Sequence, residues 1–197
     1  MKKLIVTTAV CALLSGAAFA QESPWMVRAR AVGINMANKD ATGLGLTVDN
    51  KTIPEVDISY FFNKNVAVEV VLTVPQKQTV NSITLGYDIG TFKHLPPTVT
   101  LQYHFDGSSA VKPYVGAGIN YTQFSKVNLL SGGADMSDHS WGAAIQAGLD
   151  FPIDKNLSFN IDVKKVNIKT DVFVGGVNAG VLKVNPTLLG VGLGYRF

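Results

Sequence analysis

The sequence has little cysteine, almost no excess of one charge and no long apolar segment after residue 20. Its one cysteine, Cys11, lies near the N-terminus, so disulfides and thiolate metal sites are excluded from the rest of the chain. Without Lys2 and Lys3, 15 basic residues oppose 14 acidic ones, which argues against the concentrated basic surface of a nucleic-acid-binding protein. After residue 20 there is no run of about 18 apolar residues, which argues against membrane-spanning helices.

The first 20 residues have the pattern of a secretory signal peptide. Lys2 and Lys3 form a basic start, Leu4 to Leu14 are mostly apolar, and Ala18-Phe19-Ala20 fits a small-x-small cleavage site. An apolar run of roughly 11 residues is too short for a transmembrane helix, which needs about 20. We therefore expect residues 1–20 to be a signal peptide and residues 21–197 to form one domain without cysteine.

The stretch from His94 to Phe124 indicates what this domain contains instead. Two runs of alternating apolar and polar residues flank the turn Asp106 to Ser109, and period two is typical of β-strands. Each run is roughly 10–12 residues long, whereas strands of soluble proteins are most often about 5–6. A strand tilted across a bilayer needs about 9–11 residues. The stretch therefore predicts a transmembrane β-hairpin.

The same alternation recurs along the chain and predicts eight strands. They are Trp25–Ile34, Ile53–Phe62, Val66–Val74, Leu95–Phe105, Pro113–Phe124, Asp138–Phe151, Leu157–Val172 and Thr187–Phe197. The long connections, interpreted as loops, are Asn35–Thr52, Pro75–Lys93, Ser125–Ser137 and Phe173–Leu182. Long and short connections alternate, as in bacterial barrels with long extracellular loops and short periplasmic turns. The fold class predicted is all-β: an eight-stranded antiparallel transmembrane β-barrel with both termini in the periplasm.

Charged residues share one face of the predicted strands. Arginine on the lipid face would cost about 2–4 kcal/mol near the midplane, so we expect this face to line the lumen. The predicted lumen-lining residues are Arg28, Arg30, Glu55, Asp57, Glu69, Gln102, His104, Gln146 and Asp150. An ion-pair network that fills the lower lumen is the preferred interpretation, and direct contact with a substrate is the alternative. A lipocalin-like barrel or a β-sandwich would instead place the apolar row inside. Across Lys164-Lys165 the apolar row changes phase, which predicts a β-bulge.

Three blocks of sequence resemble the OmpW family of outer-membrane proteins, which includes AlkL-like proteins. They are the run from His94 to Phe124, the segment Asp138–Gly148 (DHSWGAAIQAG) and the C-terminal Gly194–Phe197. The resemblance implies an eight-stranded barrel in the outer membrane of a Gram-negative bacterium and passage of small hydrophobic compounds. Phe197, with Tyr195 before it, is similar to the signal read by the barrel-assembly machinery. Lys164 and Lys165 depart from the large aromatics that many relatives carry there.

The residues themselves favour a route for apolar solutes. An eight-stranded barrel has room only for side chains or one small ligand, which argues against free flow of sugars or ions. Pro96 and Pro97 lack an N–H and cannot complete a ladder, so they are candidates for a lateral gap; alternatively, they merely begin a strand at the rim. The predicted apolar mouth consists of Leu44, Leu46, Ile83, Leu85, Leu129 and Leu130. A structural, adhesion or receptor barrel that acts through its loops is the alternative function.

The histidines do not predict a metal or catalytic site. His94, His104 and His139 lack the i,i+4 spacing and the cysteine partners of metal sites. His139 and Ser140 are adjacent, so on a strand they point to opposite faces and cannot act as a catalytic pair. We expect no enzyme activity, no metal and no cofactor. The expected partners are outer-membrane lipid, small hydrophobic solutes and the barrel-assembly machinery through Phe197, with no nucleic acid, and the barrel is expected to be a monomer.

Overall fold

The computed structural model describes residues 23–107 and 110–197, so the predicted signal peptide, residues 1–20, lies outside the described residues. The strands are β1 (Trp25–Asn35), β2 (Lys39–Asp40), β3 (Leu46–Val48), β4 (Lys51–Phe61), β5 (Val66–Leu72), β6 (Gln76–Ser82), β7 (Tyr87–Leu95), β8 (Thr98–His104), β9 (Lys112–Leu129), β10 (Ala134–Met136), β11 (His139–Pro152), β12 (Leu157–Val166), β13 (Lys169–Val174), β14 (Val177–Lys183) and β15 (Thr187–Arg196). A 3-10 turn, Leu130–Gly132, precedes β10. Within the described ranges, no helix is long and apolar enough to cross a membrane.

Eight of these strands close into an antiparallel barrel. Their order around the barrel is β1, β4, β5, β8, β9, β11, β12 and β15, and β15 pairs back with β1. The closing pair runs in unbroken register from Met26↔Arg196 to Asn35↔Thr187. By pairing β15 with β1, closure removes the two free sheet edges that an open sheet would present to the bilayer core. The predicted fold class is confirmed.

The apolar rows face outward and the ionic rows face inward, as predicted. Leu101 is 58% exposed and Ile145 is 60% exposed on the outer surface, whereas Arg28 and Glu69 are fully buried inside. A soluble barrel would have the opposite arrangement. The exterior therefore suits hydrocarbon, and the interior holds the polar groups that hydrocarbon cannot solvate.

Aromatic side chains mark both membrane interfaces. At the short-turn end, the ring centroids of Trp25 and Tyr60 lie 4.9 Å apart. The rings of Tyr195 and Phe197 also pack edge to face there, with centroids 5.2 Å apart. At the long-connection end, Tyr121 and Trp141 lie 4.8 Å apart. Amphipathic rings concentrate at headgroup level, so the two bands locate the periplasmic and extracellular surfaces. Recognition of Phe197 by the assembly machinery stays a prediction.

Inward-facing glycines on β15 leave space for the buried arginines. A Cβ added at Gly190 would lie 3.1 Å from Arg30 Cδ, and one at Gly194 would lie 3.1 Å from Arg28 Cγ. At Gly192 the added Cβ would lie 2.0 Å from the carbonyl oxygen of Ala29 on β1. The alternation of glycine with apolar residues in the last strand thus lets large side chains cross the barrel interior.

The four long connections are more regular than predicted. They contribute β2, β3, β6, β7, β10, β13 and β14, and β9 continues past Phe124 to Leu129. Together they extend the barrel sheet through β9, and we call this extension the extracellular sheet; its strand order is β3, β6, β7, β9, β10, β13, β14 and β2. The connections are long and extracellular, as predicted, but they also contain strands, because they carry short apolar alternations, such as Leu46 and Val48, that this extension of the barrel buries.

The predicted β-bulge at Lys164-Lys165 is also wrong. β12 pairs with both neighbours without a register shift, through Gln146↔Lys164 and Lys164↔Leu188. The inward row continues without interruption from Lys164 to Val166, and both are buried. The apolar residues change rows because the barrel interior itself becomes apolar at this level. The predicted seventh strand ends at Val166, and Lys169–Val174 forms β13 in the extracellular sheet.

Candidate transport site

Charged side chains cross the middle of the barrel in one connected network. We call this the ionic plug; it consists of Arg28, Arg30, Glu55, Asp57, Glu69, Asp150, Asp162 and Lys164. Arg28 Nη2 donates to Asp150 Oδ2 at 2.9 Å, and its Nη1 lies 3.6 Å from both Asp57 Oδ1 and Glu69 Oε2. Arg30 Nη1 lies 2.9 Å from Asp57 Oδ2. The two arginines of β1 thus connect carboxylates on β4, β5 and β11.

Lys164 completes the network from the opposite wall. Its Nζ lies 3.5 Å from Glu69 Oε1 and 3.6 Å from Glu55 Oε1, and the lysine side chain is 2% exposed. Glu69 therefore contacts cations from both β1 and β12. Removing one member of a buried ion pair costs about 3–5 kcal/mol, because the partner charge stays buried. The plug consequently acts as one packed unit that closes the barrel axis.

Sequence reasoning missed four members or close partners of this network. Tyr114, Asn160, Asp162 and Lys164 were not among the predicted lumen residues, yet all are buried inside. The Tyr114 hydroxyl donates to Asp162 Oδ2 at 2.9 Å, and the guanidinium of Arg28 lies 5.2 Å from the centre of the tyrosine ring. The polar alternation Ser158, Asn160, Asp162, Lys164 carried the signal for the β12 residues.

The nine predicted lumen residues all lie inside the barrel, each at most 6% exposed. Below the plug, His104 Nε2 lies 2.9 Å from Gln102 Oε1, and its ring stacks on Tyr114 with centroids 4.9 Å apart. Gln146 is buried, and neither of its side-chain polar atoms has a hydrogen-bond partner among the described residues. The interior is therefore filled by side chains at this level.

Beyond the plug, toward the extracellular side, the interior is mostly apolar, although a few polar side chains such as Gln78 and Ser82 are also buried there. We call this region the outer core; its buried residues are Leu46, Val48, Val80, Ile89, Phe92, Phe124, Leu129, Ala134, Met136, Ala144, Val166, Ile168, Val172, Leu182 and Val184. The rings of Phe92 and Phe124 pack edge to face with centroids 5.7 Å apart. The extracellular sheet thus encloses a hydrophobic interior continuous with that of the barrel.

The predicted apolar mouth divides into two groups. Leu46 and Leu129 are each 1% exposed within the outer core, and Leu44 and Leu130 pack against it. Ile83 is 74% exposed and Leu85 is 42% exposed. These two do not line the interior, because the β6–β7 hairpin ends in a turn at Ile83–Gly86 that faces outward.

A side-chain amide closes the extracellular sheet where its first and last strands meet. Asn38 Nδ2 donates to the Val48 carbonyl at 3.0 Å, and Asn38 Oδ1 accepts from the Val48 N–H at 2.9 Å. The carboxylate of Asp40 accepts from the Leu46 N–H at 3.1 Å. The Asn38 amide replaces a backbone ladder pair between the segment that contains β2 and strand β3. Side-chain hydrogen bonds therefore close the ring at this seam, where the other strands of the extracellular sheet pair through their backbones.

A cavity of about 30 Å³ lies between the ionic plug and the outer core. Its walls include the apolar residues Ile34, Ile53, Val71, Val166, Ile168 and Leu188. His94 also lines it, and burial, with a smaller effect of Lys51, lowers the pKa of His94 to about 4, so the imidazole is neutral at pH 7. This volume admits water-sized molecules only. An apolar solute therefore fits only if outer-core side chains separate.

Pro96 and Pro97 lie beside this cavity, where the wall is interrupted. On the β9 side they are well connected: the Tyr121 N–H donates to the Pro97 carbonyl at 3.0 Å, and Asn120 Nδ2 donates to the carbonyls of Pro96 at 3.2 Å and Pro97 at 3.1 Å. On the other side the ladder stops at Val71↔Thr98 and resumes only at Gln76↔His94.

We call the interrupted region the proline gap; it consists of residues 72–75 and 95–97. Among the described residues, no backbone hydrogen bond joins these two segments. Thr73 and Pro96 line the cavity from the gap, and the Thr73 hydroxyl is buried without a partner in the described part of the chain. On the outside, Val74 is 60% exposed and Leu72 is 48% exposed. The gap thus separates an apolar cavity from an apolar, lipid-facing surface.

The three histidines lie apart from one another. His104 is inside the barrel below the plug, and His94 lines the cavity above it. His139 is exposed, and its ring stacks on Tyr121. In the ranges that the structure describes, no group of three His, Cys, Asp or Glu side chains is arranged to hold a metal ion.

Solved structures of outer-membrane barrels match this fold. The crystal structure of OprG from Pseudomonas aeruginosa has a TM-score of 0.71 and 27% identity, covering 90% of this chain and 97% of that one. The structure of AlkL in lipid bilayers has a TM-score of 0.70 and 25% identity, covering 93% and 94%. Escherichia coli outer membrane protein W has a TM-score of 0.64 and 28% identity, covering 91% and 100%.

Sequence comparison gives the same result. Outer membrane protein W of Escherichia coli is 36% identical over the full length of both chains. The Dibenzothiophene metabolism operon protein DoxH of Pseudomonas sp. strain C18 is 28% identical over 93% of each chain. The model of the OmpW family matches residues 21–197, which is the whole predicted barrel. The chain therefore belongs to the OmpW family and is a barrel of the Gram-negative outer membrane.

Proposed function

We propose that this barrel lets small hydrophobic molecules cross the outer membrane by a sideways route. A solute enters through the extracellular sheet, passes among outer-core side chains to the cavity above the ionic plug, and leaves through the proline gap into the bilayer. The observation that carries the proposal is the coincidence of the ladder interruption with the apolar cavity, since Thr73 and Pro96 border both.

The ionic plug supports a sideways exit over an axial one. A solute that continued along the barrel axis would have to separate Arg28, Arg30 and Lys164 from the carboxylates that they contact at 2.9–3.6 Å. That would leave charges buried without partners, which costs several kcal/mol for each ion. The proline gap requires no such separation, because the two backbone segments there share no ladder hydrogen bond.

The chemistry of the path supports an apolar substrate. The outer core and the cavity walls consist mainly of aliphatic and aromatic side chains, and a polar solute would lose most of its hydration there for few hydrogen bonds in return. The name of the relative DoxH refers to metabolism of dibenzothiophene, an apolar aromatic compound. We therefore propose small apolar compounds as the substrate class.

Uptake into reconstituted vesicles tests the sideways exit. In the double variant Pro96→Val/Pro97→Val, both residues regain an N–H and the β-propensity needed to extend the ladder. We expect this variant to slow the uptake of an apolar fluorescent solute several-fold. The matched control is Pro54→Val on β4, which is exposed and already lies within a continuous ladder, and which should leave uptake unchanged. Equal uptake by the double variant and the control would refute the lateral route.

A receptor or adhesion role is the second candidate, favoured by apolar residues at the outermost turns. Ile83 is 74% exposed and Val177 is 71% exposed, both on the extracellular side. If these turns contact a partner, the double variant Ile83→Ser/Val177→Ser should lower attachment of whole cells to host or bacterial surfaces without changing vesicle uptake. Unchanged attachment would dismiss this role.

A further inference from the structure

Lysines encircle the extracellular end of the barrel. We call them the lysine collar; its members are Lys39, Lys51, Lys77, Lys93, Lys126, Lys169 and Lys183. They lie on β2, β4, β6, β7, β9, β13 and β14, one lysine on each strand. Along the chain, each is within six residues of the position where pairing between barrel strands ends. Six are exposed at strand positions of the extracellular sheet or at the start of β4, and Lys93 is half-buried. The collar therefore follows the rim around most of its circumference.

Three pairs of collar lysines face each other across neighbouring strands. Lys77 is the direct partner of Lys93, and Lys183 is the direct partner of both Lys39 and Lys169. Residues in such positions have Cβ atoms about 4.5–5.5 Å apart, and like charges there are destabilising. Because three such lysine pairs lie at the same rim, a bound anion would stabilise this part of the protein.

The chain itself does not supply that anion. Among the described residues, no collar lysine has a carboxylate within salt-bridge distance. At the opposite, periplasmic rim, the exposed Lys64 does have one, with its Nζ 3.2 Å from Asp106 Oδ2. Hydrogen bonds from Asn65 and Lys64 lower the pKa of Asp106, in keeping with this pairing. Lys64 is thus paired with a carboxylate within the protein, whereas in the described ranges no collar lysine is.

The backbone of β9 turns one more ammonium group toward the outside. The register of β7 and β9 shifts between Thr91 and Lys93, which adds a residue to β9 beside Lys93. Lys126 has φ of 50° there, and both it and its neighbour Ser125 are exposed. The left-handed region is unfavourable for a lysine. This irregular position places Lys126 on the outer face with the rest of the collar.

The collar lies at the depth of lipid headgroups. Lys93 pairs with Ser125, four residues beyond the interfacial Tyr121, which is about 13 Å along a strand and roughly 10 Å along the membrane normal after the strand tilt. Just below lie lipid-facing apolar residues such as Val99, 40% exposed, and Ile119, 58% exposed. Cations above an apolar belt match a lipid that has an anionic headgroup and acyl chains.

We propose that the lysine collar binds the phosphate groups of lipid A, the phosphorylated glycolipid of the outer leaflet. Ammonium groups at a membrane surface attract anionic headgroups, and several of them together give a strong site. The phosphates neutralise the facing lysines, and the acyl chains cover the apolar surface below them. This site lies on the outer surface and does not depend on the proposed transport.

Native mass spectrometry of the full barrel in a neutral detergent tests the proposal, with bis-phosphorylated lipid A titrated as the probe. The variants Lys77→Gln/Lys93→Gln and Lys169→Gln/Lys183→Gln should each weaken binding about tenfold or more. The control Lys64→Gln/Lys155→Gln removes the same number of charges at the periplasmic rim and should bind as the wild type does. The variants Lys77→Arg/Lys93→Arg and Lys169→Arg/Lys183→Arg keep the charge and should retain binding, which separates charge loss from misfolding.

Two further probes identify what is bound. Dephosphorylated lipid A should bind at least tenfold more weakly than the bis-phosphorylated form to the wild-type barrel. Inorganic phosphate at the same concentration should not displace lipid A. Equal binding by both collar glutamine variants and the control would overturn the proposal. So would equal binding of dephosphorylated lipid A, or displacement by inorganic phosphate, which would indicate a site for the free ion.

Discussion

The two halves of the barrel interior use the same strand alternation for opposite purposes. In the middle of the barrel the inward row of β12 carries Asp162 and Lys164, which are part of the ionic plug. From Val166 onward the same inward direction carries apolar residues of the outer core. The plug holds charges that cannot separate without large cost, whereas the outer core holds apolar side chains without such ion pairs. Under the proposed function, this difference decides how far along the barrel axis a solute travels.

Backbone pairing between neighbouring strands is also more complete around the plug than around the outer core. Around the plug, every barrel strand is joined to both neighbours, as in the ten consecutive pairs of β1 with β15. Around the outer core, the wall is interrupted at the proline gap, and the extracellular sheet is closed at one seam by the Asn38 amide. The wall is therefore continuously paired around the plug and incompletely paired above it.

The largest effect is expected from disrupting the plug. Arg28→Ala leaves Asp57, Glu69 and Asp150 buried with fewer cationic partners, and we expect the free energy of unfolding to fall by about 3–5 kcal/mol. Urea unfolding in lipid vesicles measures this. Lys64→Ala, which removes an exposed ion pair, is the control and should change the unfolding midpoint little. Equal midpoints for the two variants would mean that the plug does not stabilise the barrel.

A smaller loss is expected where β15 approaches β1. Gly192→Ala places a Cβ 2.0 Å from the Ala29 carbonyl oxygen, so the strands must separate, at a cost of about 1–3 kcal/mol. The matched variant Gly33→Ala on β1 meets its nearest atom at 3.8 Å, which is ordinary contact. Urea unfolding of both should show a lower midpoint for Gly192→Ala only. Similar midpoints would show that close packing of β15 is not required.

The smallest effect is expected at the seam of the extracellular sheet. Asn38→Ala removes two hydrogen bonds to Val48 and should cost about 1 kcal/mol or somewhat more, confined to the upper part. Hydrogen exchange should become faster at Val48 and Leu46 but stay unchanged in the barrel strand β11. Asn128→Ala, at an exposed position on β9, serves as the control. Faster exchange throughout the barrel would contradict the division into two regions.

Much of this arrangement follows from the sequence, because alternation reports directly which face a strand buries. Arg28 and Leu101 were assigned to opposite sides from their position in an alternating run alone, and the barrel of eight strands followed from the connections. The alternation at Ser158 to Lys164 also carried the missing plug residues, but the apolar pair Val166 and Ile168 was interpreted as a change of phase. In the sequence alone, an inward-facing row that changes from charged to apolar residues gives the same pattern as a strand whose register shifts by one residue.

The extracellular sheet was harder to predict for a different reason. Its strands are as short as the two residues of β2 and the three of β3, and their partners lie in other connections. Short runs acquire their structure from distant pairing, which no local pattern contains. The proline gap was anticipated from two residues, but its other side, residues 72–75, emerged only from the register of the neighbouring strands.

Labelling by an apolar photoreactive solute tests the central claim most directly. Ile53 and Val71 are buried apolar residues that line the cavity above the plug, and Phe61 and Ala67 are buried apolar residues in a separate cluster nearer the periplasmic end. Solute supplied from outside and activated during uptake should label Ile53 and Val71 and leave Phe61 and Ala67 unlabelled, since the solute leaves sideways above the plug. Labelling of both clusters in wild-type protein would show an axial route and contradict the account.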